Sequence, residues 1–423
     1  MMKYFATIIL TLFVSLGFSQ GKTKRVLFLG NSYTYVNDLP KTIADMALST
    51  NDTLIYDSNC PGGYTLQGHA TNATSLNKIK QGNWDYVVLQ EQSQYPSFPI
   101  NQVETDVFPY AKLLDSLIHV SNPCAETVFY MTWGRKNGDA SNCPSWPPVC
   151  TYNGMDSLLR LRYETMATSN KALLSPVSVV WKYLRTNNPL IELYQSDESH
   201  PSEAGTYAAA CSFYTVFFGK DPTNVTFKST LALADGASIR NVAKTAVFDQ
   251  LLQWHIGEFN PKATFTNTTI SNQHIQFTNT STNATSYQWY FGDGDSSSSV
   301  NPTHQYSSGG AYNVKLIASS CNKADTFNKS ITITTTSIRS TDETNTIMIS
   351  PHPVHKVLSL NQPLVNVTPF TICDMYGRIV KSGILQPSNK TISMDDLIAG
   401  EYVLILHPNK NEPIRLPFHK IND

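Results

Sequence analysis

The chain has 423 residues, too many for one ordinary core, so two or three domains are expected. Hydrophobic residues make up 41% and charged residues 15%, a globular composition. A formal net charge of -1 supplies no long-range attraction for nucleic acid or anionic membranes, and nucleic acid is set aside as a partner.

The opening stretch, MMKYFATIILTLFVSLGFSQ, places Lys3 before an apolar run from Tyr4 to Phe18, with the small residues Gly17 and Ser19 just ahead of Gln20. This pattern predicts a signal peptide over 1–19, too short for a comfortable membrane span. No later run is long and apolar enough to cross a bilayer, so no transmembrane segment is expected after its removal. Export permits disulfides, and Cys143 and Cys150, which close the loop CPSWPPVC, are the pair expected to bond. The 7 cysteines leave at least one thiol over, and no CxxC pair carries metal spacing. Neither metal nor cofactor is expected.

From 20 to 259, apolar runs alternate with helical spacing: RVLFLG as a strand, DLPKTIADMAL as a helix, DYVVLQ as a strand, VFPYAKLLDSLIHV as a helix, TVFYMTW as a strand and EAGTYAAACSFYTVFFG as a helix. Continuous apolar strands separated by helices predict an α/β domain with a mainly parallel sheet covered on both faces, whose functional groups collect at the strands' carboxyl ends. From 262 to 335 the texture changes to short alternating strands with Ser, Thr and Asn turns, which predicts a β-sandwich. A polar linker over 336–346 follows. A second all-β module is expected over 347–423, with turns at Tyr376-Gly377 and Ala399-Gly400.

Within VLFLGNSYTY, Val26 to Tyr35, a strand runs into the polar corner Gly30-Asn31-Ser32. A serine raised on such a corner can attack a carbonyl while its own N–H stabilises the oxyanion. A base is supplied far along the chain in SDESHPSEAGTYAAA, where Asp197 and His200 stand three apart. That spacing lets the carboxylate fix one imidazole nitrogen while the other faces the serine. GNS after the first strand and DxxHP before the last helix together resemble the SGNH (GDSL-like) hydrolase family, over roughly residues 24–256. The resemblance implies a flavodoxin-like three-layer α/β/α sandwich, with Ser32 as nucleophile, His200 as general base and Asp197 as orienting acid.

The same resemblance implies an oxyanion hole. Its glycine falls in NCPGGYTLQGH, where Gly63 is preferred to Gly62, and Ser32 contributes its own N–H. The family's GxND block is replaced here by DYVVLQEQSQYP, so the amide of either Gln92 or Gln94 takes the place of the missing Asn. LQEQSQ is similar to a secreted bacterial subgroup of these hydrolases. Trp133 and Arg135, in YMTWGRKNGD, are read either as substrate contacts at the same strand-end face, the ring for a sugar and the guanidinium for a sugar or a carboxylate, or as core packing and surface respectively. Glu91 is an alternative acid or metal ligand, and His69 is read as a pocket residue, not a base.

Two further resemblances complete the reading. Tyr290 to Gly294 (YFGDG), Asn301 to Tyr306 (NPTHQY) and Gly310 to Val314 (GAYNV) closely resemble a PKD-type domain. Asp293 and Asp295 are read there as hairpin-turn residues in preference to calcium ligands. ISPHPVHKVLSL, DMYGRIV and ISMDDLIAGEYVLIL resemble the C-terminal sorting domain of the type IX secretion system of Bacteroidetes, with His352 where that family usually has Asn. Together these imply a Gram-negative protein exported through the periplasm, with the secretion machinery as partner, and then secreted or held at the cell surface. The activity expected is that of a serine esterase removing O-acetyl or similar groups from an acylated carbohydrate or another small ester. The alternatives are a lipid esterase or thioesterase, or a non-catalytic surface glycan-binding protein on a hydrolase scaffold.

Overall fold

In the computed structural model, which describes residues 21–271, 273–334, 347–407 and 412–422, five strands with apolar centres form one parallel sheet. They are β1 (Thr23–Leu29), β2 (Thr53–Asn59), β3 (Tyr86–Leu89), β4 (Glu126–Tyr130) and β5 (Leu173–Ser175), in the order β2-β1-β3-β4-β5. Every residue of β3 and β5 is buried, as a strand covered on both faces requires. The helices Leu39–Leu48, Val177–Asn187, Glu203–Phe218 and Leu233–Ala246 pack with one another on one face, and Leu66–Thr71, Ala73–Lys80, Phe108–Ser121 and Tyr152–Asn170 on the other. The result is a flavodoxin-like α/β/α sandwich. The expected signal peptide and linker lie outside the described residues.

This strand order fixes where a site can form. The chain leaves β1 toward β2 on one side and returns to place β3 on the other, so a crevice opens beyond the carboxyl ends of β1 and β3. The helix Glu203–Phe218 closes the arrangement. All of its residues after Glu203 are buried, with Phe213 and Phe217 set edge-on to Phe28 of β1 at 6.0 and 6.2 Å. Each large apolar side chain so buried contributes about 1.5–3 kcal/mol, which anchors the helix and the loop before it beside β1.

The chain divides into two compact units, one ending at Thr334 and the other starting at Thr335. The first unit also holds a β-sandwich after the α/β layers. A sheet of Thr303–Gln305, His274–Asn279 and Phe265–Ser271 faces one of Lys323–Ile333, Gly310–Ser320, Ser286–Tyr290 and Ser296–Ser297. Phe265, Phe277, Trp289, Phe291 and Tyr306 fill the space between them. A disulfide joins Cys124, just before β4, to Cys321 in this sandwich. Beside it, Lys323 Nζ donates to Glu126 Oε2 at 2.7 Å and to Asn260 Oδ1 at 2.9 Å. The expected Cys143–Cys150 bridge is also present, and Cys60, Cys211 and Cys373 are free.

The second unit is all-β. A three-stranded sheet of Ile349–Ser350, Val357–Leu360 and Thr391–Ser393 shares a core with a four-stranded sheet ordered Ile379–Leu385, Thr368–Asp374, Gly400–Leu406 and Ile414–Lys420. Leu358, Ile372, Leu404 and Phe418 are fully buried within that core.

Candidate active site

β1 ends at Leu29, and the next residue, Gly30, has no room for a side chain. A Cβ would fall 2.6 Å from both Gln90 Oε1 and Thr34 Oγ1. Asn31 is extended and caps the helix Ser32–Tyr35, its Oδ1 accepting the Tyr33 N–H at 3.1 Å. Ser32 is thereby the first helical residue. Its N–H and that of Gly63 have no hydrogen-bond partner among the described residues. Gly63 holds a φ of +68°, a conformation that favours glycine.

His200 stands in the loop before Glu203–Phe218 with Nε2 2.9 Å from Ser32 Oγ. Its Nδ1 bonds to Asp197 Oδ2. The other Asp197 oxygen accepts the N–H groups of Ser199 and His200 at 3.1 and 3.0 Å. Partial burial alone would raise the Asp197 carboxyl, but the His200 ring bond and these N–H bonds outweigh it and hold it below its ordinary range. Nδ1–H donating to Asp197 leaves the Nε2 lone pair to accept the Ser32 proton.

A cleft of about 200 Å³ opens over this group, lined by Ser32, Gly63, Gln92, Ser93, Arg135 and Ser199 among others. The structure therefore brings Ser32, His200, Asp197, Gly63, Gln92 and Arg135 together. Gln94 does not line the cleft: its amide donates to Asp139 Oδ2 at 2.6 Å and its Oε1 accepts one Gln92 amide hydrogen at 3.1 Å. Gln92 Oε1 accepts the Gln94 N–H at 2.7 Å, which fixes the turn after β3.

Of the two readings of Trp133, the structure overturns substrate contact and shows core packing. Trp133 is fully buried, stacked between Tyr33 and Trp181 at centroid distances of 4.7 and 3.7 Å. Its indole N–H donates to the Ser199 carbonyl at 3.1 Å, so it supports the His200 loop from beneath. β4 ends at Tyr130, and the chain beyond it runs inward under that loop, which is why the ring offers no face to the cleft.

Several site residues were not singled out from the sequence. Gln90 Oε1 accepts the Asn31 N–H at 2.9 Å, and its amide donates back to Asn31 Oδ1 at 2.8 Å. Tyr33 and Ser199 share a hydroxyl hydrogen bond of 2.7 Å. A polar residue ending a fully apolar strand, as Gln90 ends DYVVLQ, was the available signal. Glu91 is fully buried; its carboxylate accepts the N–H groups of Gln92 at 2.6 Å and Leu66 at 3.2 Å, and burial, partly offset by these bonds, pushes it up to about 8. His69, also buried, sits 2.9 Å from the Gly30 carbonyl and 2.8 Å from Ser75 Oγ, and burial pushes it down to about 4, too low for a general base near neutral pH.

Among the described residues, the metal-competent group is Asp293, Asp295 and His304 in the β-sandwich, where His304 Nε2 already pairs with Asp293 Oδ2 at 2.6 Å. That sandwich carries an aromatic core and the FGDG turn. Residues 256–335 match the PKD domain family. The PKD segment is similar in structure to the PKD1 domain of the Vibrio cholerae metalloprotease PrtV, at 31% identity over 18% of this chain and 99% of that one, TM-score 0.17. The α/β part is similar to a candidate SGNH hydrolase from Slackia heliotrinireducens, at 25% identity over 45% of this chain and 97% of that one, TM-score 0.39. It is also similar to a DUF4886 family protein from Bacteroides uniformis, at 15% identity over 53% and 94%, TM-score 0.47. No curated protein matches the chain.

Proposed function

We infer that the protein is a serine esterase of SGNH type, acting on short acyl esters of carbohydrate. The observation that carries this reading is the single line of hydrogen bonds from Ser32 Oγ through His200 to Asp197 at the mouth of a cleft. Ser32 Oγ attacks the ester carbonyl as His200 Nε2 takes its proton, with Asp197 holding the imidazole in the required tautomer. The free N–H groups of Ser32 and Gly63, with the Gln92 amide hydrogen not given to Gln94, receive the oxyanion. His200 returns the proton to the departing alcohol, leaving an acyl group on Ser32. Water then attacks that acyl group, activated by the same imidazole.

The size and lining of the cleft favour a short acyl group on a polar alcohol over a lipid chain. About 200 Å³ bounded by Ser93, Gln92, Arg135 and Ser199 is small and polar, whereas pockets for larger apolar ligands run to roughly 300–1,000 Å³. In this reading the second unit is a type IX sorting domain, supported by the motifs of its sequence, and the protein works outside the cell. Hydrolysis of p-nitrophenyl acetate by the wild type and by Ser32→Ala is the direct test. Loss of turnover in the variant is expected, and equal rates would overturn the proposal.

A further inference from the structure

The segment after β4 carries two adjacent cations, Arg135 and Lys136, and the first of them is only loosely paired. The Arg135 guanidinium lines the cleft, and its buried Nε has no hydrogen-bond partner. Its contact with Asp139 is a single one of 3.4 Å, longer than the 2.7–2.9 Å of a good charge-assisted bond. Asp139 is already occupied by Gln94 Nε2 at 2.6 Å, Asn142 Nδ2 at 2.7 Å and the Ser141 N–H at 3.2 Å. The guanidinium fork is therefore left with donors to spend on a ligand.

The next two residues line a second, open depression of about 470 Å³. Lys136, Asn137, Tyr152, Lys182 and Arg185 stand around it, and no residue lining it is acidic. Arg185 lies over the Tyr152 ring at 3.9 Å and donates to the Lys136 carbonyl at 3.0 Å, with no carboxylate partner among the described residues. The nearest carboxylate to Lys182 is Asp156, 3.8 Å away and buried, whose carboxyl burial pushes up. Lys136 alone is closely paired, with Glu192 at 2.6 Å.

The two depressions flank one segment, and that segment is tied to the loop that carries His200. The Lys136 N–H donates to the Glu198 carbonyl at 2.9 Å, and Asn137 Nδ2 to Glu198 Oε2 at 2.8 Å. The groove offers cations, amides and a tyrosine, a set suited to sugar rings that carry carboxylates.

Resting on the esterase reading, we propose that this groove is a subsite for uronic-acid residues and that the substrate is an O-acylated polyuronate. Arg135 takes the carboxylate of the sugar nearest the ester, and Lys182 and Arg185 take those further along the chain.

The test uses the full chain with Ser32→Ala, so that binding is read without turnover, by calorimetric titration with an unacylated oligogalacturonate. A neutral xylo-oligosaccharide and a sulfated oligosaccharide of equal length serve as the other arms. The uronate is expected to bind at least about tenfold more tightly than either, with an affinity that falls as salt rises. Adding Lys182→Gln and Arg185→Gln is expected to remove that preference. Lys182→Gln alone, at a half-exposed side chain, is expected to weaken uronate binding in the same direction. Equal affinity for the neutral oligosaccharide, or binding indifferent to these substitutions, would overturn the subsite. Equal affinity for the sulfated one would overturn its assignment to carboxylates. Failure of the esterase reading shows separately, as absence of p-nitrophenyl acetate hydrolysis by the wild type.

Discussion

Gln90 and Asn31 hold each other by two hydrogen bonds, the Asn31 N–H to Gln90 Oε1 at 2.9 Å and the Gln90 amide to Asn31 Oδ1 at 2.8 Å. Asn31 Nδ2 also donates to the Tyr64 carbonyl at 3.0 Å, so one side chain links the corner after β1 to the loop after β2 and the end of β3. Gln90→Ala would leave the buried Asn31 N–H unpaired, at a cost of about 1–3 kcal/mol. Urea unfolding should show that loss, and kcat on p-nitrophenyl acetate should fall by more than tenfold with a smaller change in KM. An unchanged kcat would mean that the corner keeps its shape without Gln90.

Asp197→Asn tests the orienting role. An amide can present its N–H to His200 Nδ1 and so select the wrong tautomer. Turnover is expected to fall by roughly 10³–10⁴-fold, while thermal stability stays close to the wild type. A loss below tenfold would remove Asp197 from the mechanism.

Gln92 and Gln94 should separate by readout. Gln92 lines the cleft, so Gln92→Ala is expected to lower kcat by about 10²-fold, the effect of losing one oxyanion donor. Gln94 donates to buried Asp139, so Gln94→Ala is expected to lower the melting temperature and to affect kcat less. The reverse pattern would exchange their roles.

The two buried titratable groups near the cleft act on stability in opposite directions. Glu91 sits at about 8 against an ordinary 4.5, so the folded state holds its proton more tightly, and stability falls as pH rises from about 4.5 toward 8. His69 sits at about 4 against 6.5, so the unfolded state binds its proton more tightly, and stability falls as pH drops below 6.5. Each limb is worth at most about 1.4 kcal/mol per pH unit. Urea midpoints across this range should show Glu91→Gln flattening the alkaline limb and leaving the acid limb in place. An unflattened alkaline limb would contradict the buried carboxyl.

The Cys124–Cys321 bridge spans 197 residues of sequence and joins the PKD segment to the α/β layers. Cys321→Ser is expected to lower stability by roughly 2–4 kcal/mol in denaturant unfolding, with at least that loss when the wild type is reduced, since reduction also opens Cys143–Cys150. If reduction leaves the unfolding curve unmoved, the Lys323 hydrogen bonds and the sheet contacts suffice without it.

The sequence by itself determined the α/β class, the two β-rich regions and the Cys143–Cys150 bridge, because each is written in short-range pattern: continuous apolar runs, alternating strands, a tight loop. It also pointed to Ser32, Asp197 and His200, through the resemblance that a GNS corner after a buried strand and a DxxHP before a buried helix carry together. Only the tertiary structure decided that Gln92 lines the cleft while Gln94 turns to Asp139, that Trp133 lies beneath the His200 loop, and that Cys124 bonds Cys321. It alone also gathered Lys136, Lys182 and Arg185 around one groove. The direction of a side chain at a strand end depends on which surface packs against it. Here those surfaces come from segments tens to nearly two hundred residues away, and no local spacing records their meeting.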